Sequence, residues 1–444
     1  MLKSTRRKLF YALVALFLVL GTSVVLYAEG VRFDFSHWRF TKAGGIFVRA
    51  YPEDAAITLD NKPIQSQIGI LSRGTLINGL IPRTYTLALT EPDYDAWQES
   101  AAVEPSMVTE FKYAVLVPDK ATTVATGTLT DFALTGAGLA LRTPSGILTD
   151  GKSLGRGTLA ATDGPRTSGF LFVRPSGTYD WYDPTASSTT NLSSVFAANG
   201  VALANATVVQ NPYNNPPQIA AITQSRLWIM DLATQGLAHS ERVPSGAVFA
   251  PTVAFSPSWI AWTTYTPTLN VSSLNLYNFD ADVSASSSAT IPGETQKIQW
   301  LSGSTFAVLQ NTGELYQYDL GSQAFIKMTG DATAFAASDD GAMLAALGQH
   351  SLEVFALAPT DNSNIYWRFN LPDIAGVQKL IWYRDDRHLF VVYPDRVAFL
   401  DLADSSLTNF TTIAYGTSPE YDPSANALYL LDTQKNLVRF DFPG

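Results

Sequence analysis

An all-β fold is predicted here: a small β-sandwich followed by a seven- or eight-bladed β-propeller, after a single N-terminal transmembrane helix. Three observations predict it. A strand-like motif returns every 37 to 48 residues along the C-terminal three-quarters of the chain, about 43 on average. Aromatic residues are abundant, with 9 Trp, 19 Tyr and 24 Phe, and such residues pack well on pleated surfaces. Only one run of residues, near the N-terminus, is long and apolar enough for a membrane.

The apolar run comes first. Lys3, Arg6, Arg7 and Lys8 precede an uncharged stretch from Leu9 to Ala28. At 1.5 Å per residue, such a helix covers a hydrocarbon core of about 30 Å. The basic cluster lies on the N-terminal side only. That asymmetry predicts a cytoplasmic tail (1–8), a membrane span (9–28) and an extracytoplasmic remainder, in a single-pass protein of the cell membrane. A cleaved signal peptide is the alternative. The length of the run and its Leu26-Tyr27-Ala28 end favour retention.

Residues 29–43 form a juxtamembrane neck with Phe33, Phe35, Trp38 and Phe40. They are expected either at headgroup level or packed against the next domain. Residues 44–118 read as short strands and turns. Ile46, Val48 and Ala50 alternate with their neighbours; Ile57 and Leu59 share one face of a second strand; Asp60-Asn61-Lys62-Pro63 is a turn. Further strands are expected at Tyr85–Thr90, Ser100–Val103 and Thr109–Val117.

These residues carry a resemblance. Pro52-Glu53-Asp54-Ala55, then Gly79-Leu80-Ile81-Pro82-Arg83-Thr84-Tyr85-Thr86-Leu87, then Pro92-Asp93-Tyr94-Asp95-Ala96-Trp97, resemble the ordered motifs of a PEGA domain. Asp54, Arg83 and Asp93 stand where that pattern usually has glycine. The resemblance implies an extracytoplasmic module of bacterial envelope proteins with no known catalytic centre.

The repeat fills 119–444. Arg226–Leu232, Ser273–Phe279, Glu314–Leu320, Ser351–Leu357, Arg396–Leu402 and Asn436–Phe442 align without gaps, with weaker copies at Thr178–Pro184 and near Ile147. A second strand precedes most copies, and turns such as Ser338-Asp339-Asp340-Gly341 introduce several. The combination resembles the WD40-like repeats of TolB-type propellers. The chain stops soon after its last copy, so a strand from elsewhere is expected to close the ring; Glu110–Val117 is the expected donor.

Several classes of chemistry are excluded. There are no cysteines, hence no disulfide, Cys-zinc or thiol chemistry. A net charge of −10 opposes nucleic-acid binding. His37, His239, His350 and His388 are scattered, and no nucleophile elbow, zinc helix, phosphate loop or dinucleotide fingerprint occurs. Asp231, Asn278, Asp319, Asp401 and Asp441 recur at one repeat position. Each is expected to cap a turn in its own blade. Asp361-Asn362-Ser363-Asn364 lacks the Gly and Glu of a calcium loop, and Asp385-Asp386-Arg387-His388 reads as a solvated turn.

Trp97, Trp228, Trp259, Trp262 and Trp382 are expected in the core, with Trp181 and Trp367 less constrained. Asn211–Gln218 and Ser284–Thr290 are expected to be polar binding loops. No catalytic, cofactor or metal residues are assigned. The expected function is that of an anchored binding or scaffold protein of the cell envelope, partnered by cell-wall glycan or envelope proteins. The alternatives are an envelope-polymer hydrolase or lyase using channel carboxylates, and a self-associating surface-layer or adhesion component.

Overall fold

The structure, a computed structural model, describes residues 3–34, 38–65, 73–136, 138–160, 167–357, 365–404 and 406–444. Asp361–Asn364 therefore lies outside the described residues. The chain divides into two compact units, Met1–Lys120 with Phe442–Gly444, and Ala121–Asp441.

The first unit opens with a helix, α1 (Lys3–Ala28). Its segment Leu9–Ala28 is long and apolar enough to cross a membrane, and none of it is buried. A hairpin follows, β1 (Val31–Asp34) and β2 (Arg39–Lys42), with Phe33 opposite Phe40.

Two sheets come next. The first has the order β6-β3-β9 (Thr75–Leu80, Gly44–Tyr51, Val108–Val115). The second has the order β5-β4-β7-β8 (Lys62–Ile64, Ala56–Leu59, Thr84–Thr90, Trp97–Ala102). The period-2 alternation of each strand turns one face inward. Ile46 and Val48 thus meet Ile57, Leu59, Leu87, Leu89 and Trp97 in one core. Asp60 (φ 49) and Asn61 (φ 61) make the tight turn into β5. Of the three residues at expected glycine positions, only Asp93 is left-handed (φ 71). A short polar side chain tolerates that conformation.

The second unit is a β-propeller. Six successive four-stranded antiparallel sheets occupy 131–155, 158–191, 207–242, 248–292, 295–329 and 332–369. A seven-stranded sheet completes the unit. In it, the strand Thr411–Asp422 pairs through its first half with Arg396–Phe399 and through its second half with Ala427–Asp432. Every copy of the sequence repeat is the third strand of a four-stranded set, from Gly146–Thr149 to Leu437–Asp441. Apolar clusters bind each sheet to the next. Leu171 and Trp181 meet Val208 and Ile219, for example, and Leu129, Phe132 and Leu134 meet Leu431 and Leu437.

Two expectations are corrected here, the closing strand and the second polar loop. The ring is closed by β10 (Thr122–Ala125), which pairs antiparallel with Leu437–Asp441. The expected donor is already occupied: β9 pairs in parallel with β3 from Gly45↔Val108 to Tyr51↔Val115, and Ala114 and Leu116 enter the first unit's core. Ser284–Thr290 belongs to the strand Val283–Pro292 and is not a loop. Trp181 is buried in the strand Tyr179–Asp183.

Candidate functional site

First strands of successive propeller sets, from Thr207–Gln210 to Thr411–Asp422, line a cavity of about 820 Å³. Its lining comes from Val248–Phe255, Thr295–Ser302, Ala332–Ala337, Lys379–Trp382 and Thr411–Asp422, with Val209, Pro212 and Tyr213 beside them. Pro212 and Tyr213 belong to the expected polar loop Asn211–Gln218, whose last residue opens the strand Gln218–Ile222. Asn211 Nδ2 (2.8 Å) and Asn214 Nδ2 (2.7 Å), both donating to Gln218 Oε1, hold that loop.

Four charged side chains line the cavity: Lys297, Lys379, Asp339 and Glu420. Lys297 Nζ donates to Phe335 O (3.0 Å) and lies 4.4 Å from the centre of the Phe335 ring, a cation–π contact across two sheets. Glu420 Oε2 accepts the Leu134 N–H (2.9 Å). Burial pushes the Glu420 carboxyl up to about 7. The Leu134 N–H and Lys379 oppose the rise, and Asp131 adds to it. Burial also raises the carboxyl of Asp131. The cavity wall thus holds a half-buried carboxylic acid that titrates near neutrality.

The rim near Asp339 is acidic. Asp386, in the turn before His388–Val392, is pushed up to about 7 by burial and by Asp340, Asp385 and Asp339. The turn expected at Asp385–His388 is present, and Arg384 and Arg387 are exposed. His388 departs from that expectation, because it is fully buried as the first residue of its strand. Asp385 Oδ1 accepts the Arg387 and His388 N–H groups (2.9 and 3.1 Å) and so turns the ring inward.

The recurring Asp position does not converge. Asp231 Oδ1 accepts the Ala233 N–H (2.7 Å), Asp401 Oδ1 the Ala403 N–H (2.8 Å) and Asp319 Oδ2 the Ser322 N–H (2.7 Å). Asn278 Oδ1 does the same for Asp280 and Ala281. Asp441 departs from the pattern and is ion-paired with Arg439. Among the described residues no group of three His, Asp or Glu is placed to hold a metal ion.

Trp97, Trp262 and Trp382 are buried as expected. Trp382 Nε1 donates to Ala336 O (2.9 Å) and ties two neighbouring inner strands. Trp228, Trp259 and Trp367 are only half-buried. Sequence reasoning singled out neither Trp300, Lys297, Lys379 nor Glu420, all on the cavity wall. No motif marks them, and only their position on an innermost strand brings them together.

No family model matches the chain, and no curated protein matches it. Solved structures similar to it include β-propellers. An oligogalacturonate lyase in complex with manganese is 12% identical, with 62% of this chain and 86% of that chain covered and a TM-score of 0.44. Kluyveromyces lactis Hsv2 is 12% identical, covering 71% and 98%, with a TM-score of 0.44. The Dos1 propeller is 11% identical, covering 73% and 95%, with a TM-score of 0.49.

Proposed function

We propose that the protein is a membrane-anchored, extracytoplasmic binding or scaffold protein whose propeller channel is the ligand platform. The observation that carries this reading is the open cavity. Successive inner strands present cations, carboxyls and aromatic rings to one space, as a rigid scaffold with mixed recognition chemistry does. The apolar segment Leu9–Ala28 with its one-sided basic flank supports the anchor and the orientation. The two-sheet unit is read as PEGA-like, supported by left-handed Asp93 and Gly79 (φ 75) within the matching motifs. The blade number that fits the sheet order is eight, with Thr411–Asp422 serving as the last strand of one blade and the first of the next.

A second reading is favoured by one observation. Glu420 and Asp131 lie on inner strands within electrostatic reach of each other, and both carboxyls are raised. Such a pair suits acid–base work on a polymer.

One experiment addresses both. Full-length protein in detergent is co-sedimented with insoluble cell-wall polymer, and the supernatant is assayed for released fragments. Retention that Lys379→Ala or Trp300→Ala lowers, with no release, supports the binding platform. Release abolished in Glu420→Gln supports the enzyme. Retention unaffected by either channel substitution counts against the channel.

A further inference from the structure

We propose that the hairpin after α1 is a second membrane contact, with the aromatic face of Phe33, Trp38 and Phe40 seated among lipid headgroups where the helix leaves the bilayer. This rests on the anchor reading above.

The pairing register makes the hairpin two-faced. Phe33 lies opposite Phe40, whereas Arg32 lies opposite Thr41 and Asp34 opposite Arg39. The three aromatic rings form one cluster, Phe33 being 5.1 Å from Phe40 and 5.9 Å from Trp38 between centroids. That cluster is not used as core: Trp38 is 82% and Phe40 66% exposed. An indole with one apolar body and one N–H suits a boundary where one end is dry and the other wet.

The polar face is tied to the helix end. Arg32 Nη1 donates to Tyr27 O (3.1 Å), and its guanidinium lies 3.9 Å from the centre of the Tyr27 ring. Ala43 N donates to Gly30 O (2.8 Å), closing the base of the hairpin two residues beyond Ala28. The hairpin is thus held at the exit of the apolar span. Lys42, opposite Val31 on the face of the rings, and Arg39, exposed on the other face next to Phe40 in the strand, match anionic phosphate headgroups.

The absence of native cysteine provides the test. Val19→Cys, Trp38→Cys and Phe40→Cys, each in the full chain, carry one thiol for an environment-sensitive fluorophore. The two hairpin variants each keep the other exposed ring, and circular dichroism verifies that each retains the β fold. In phosphatidylglycerol–phosphatidylethanolamine vesicles, Val19 is expected to be quenched most by nitroxide lipids labelled deep in the chain. Positions 38 and 40 are expected to be blue-shifted from the free fluorophore and quenched most by shallow nitroxides. Arg39→Glu with Lys42→Glu should cut the shallow quenching at position 40 by about twofold in anionic but not zwitterionic vesicles.

Quenching at Val19 with positions 38 and 40 fully aqueous overturns the hairpin proposal and leaves the anchor standing. No quenching at Val19 overturns both. Blue-shifted but unquenched hairpin positions mean that protein, such as a second copy, covers the face, and this too overturns the lipid assignment.

Discussion

His388 Nδ1 lies 2.8 Å from Asp385 Oδ2, and its Nε2 lies 3.7 Å from Asp401 Oδ2, with the ring stacked on Phe399. Burial alone lowers the imidazole's proton affinity. The two carboxylates outweigh it and raise His388 to about 10. A folded-state value above the unfolded one means that the bound proton stabilises the fold fully below about pH 6.5. That contribution is lost as the pH climbs toward 10. Denaturant titrations at several pH values should show this decline, and His388→Gln should flatten it. Near neutral pH His388→Gln should cost about 3–5 kcal/mol, because two carboxylates lose their partner.

Asp386 and Glu420 tilt the pH profile in the same direction, in a lower window. Each carboxyl is raised to about 7, so the folded state holds protons that the unfolded chain has released. Stability from these groups is present at acidic pH and falls as the pH rises through about 4 to 7. Asp386→Asn removes the charge and suits the left-handed backbone there (φ 56). It should stabilise the protein above pH 7 by on the order of 1 kcal/mol, after allowing for solvent screening at the rim. Below about pH 4 it should be neutral. Melting curves of the variant and the parent at both pH values check this.

Thr122 and Arg439 face each other across the seam that closes the ring. Thr122→Cys with Arg439→Cys should form a disulfide on oxidation, visible as a mobility shift on a non-reducing gel. A cross-link closing so long a loop should stabilise the fold by up to about 4–5 kcal/mol.

Gly416 has no room for a side chain. A Cβ there would overlap the carbonyl of Leu431 and the Leu430 side chain. Gly416→Ala should cost about 1–3 kcal/mol, measured by denaturation, since core backbone would have to shift.

Asp231 and Asp319 cap turns and hold no metal in this reading. Replacing Asp231 with Ala should cost about 1 kcal/mol, and replacing Asp319 with Ala should lower the melting temperature. Calcium or a chelator should leave the melting temperature of the parent unchanged.

The repeat was legible because third strands carry two constraints at once: an alternating apolar face and a turn-capping Asp or Asn at a fixed offset. The seam that closes the ring was not. Thr122–Ala125 is four residues long and without apolar alternation, so nothing local marks it as a strand. The alternation of Phe111, Tyr113, Val115 and Val117 was real, but the same pattern serves any sheet with one buried face, and β3 claims that strand. Glu420 and Lys379 illustrate a further limit. Their role depends on which strand of a set lies innermost, which is a property of the closed ring and not of a local window. His388 sits beside three charged residues in sequence, yet a strand start sends its ring into the core while its neighbours stay at the surface.

The strand Thr411–Asp422 bends at Ser418 (φ 54) and passes from the outside of one four-stranded set to the inside of the next without a break. At the other junctions the chain changes sheet through a separate connecting segment. Such a segment can lengthen, accept an inserted domain or be nicked by a protease. The passage at Ser418 has no such give. A longer chain there would pull two ladders out of register at once, so these two sets are bound to open and close as a single piece. Variation between related chains should accumulate at the other seams and leave this one at a fixed length.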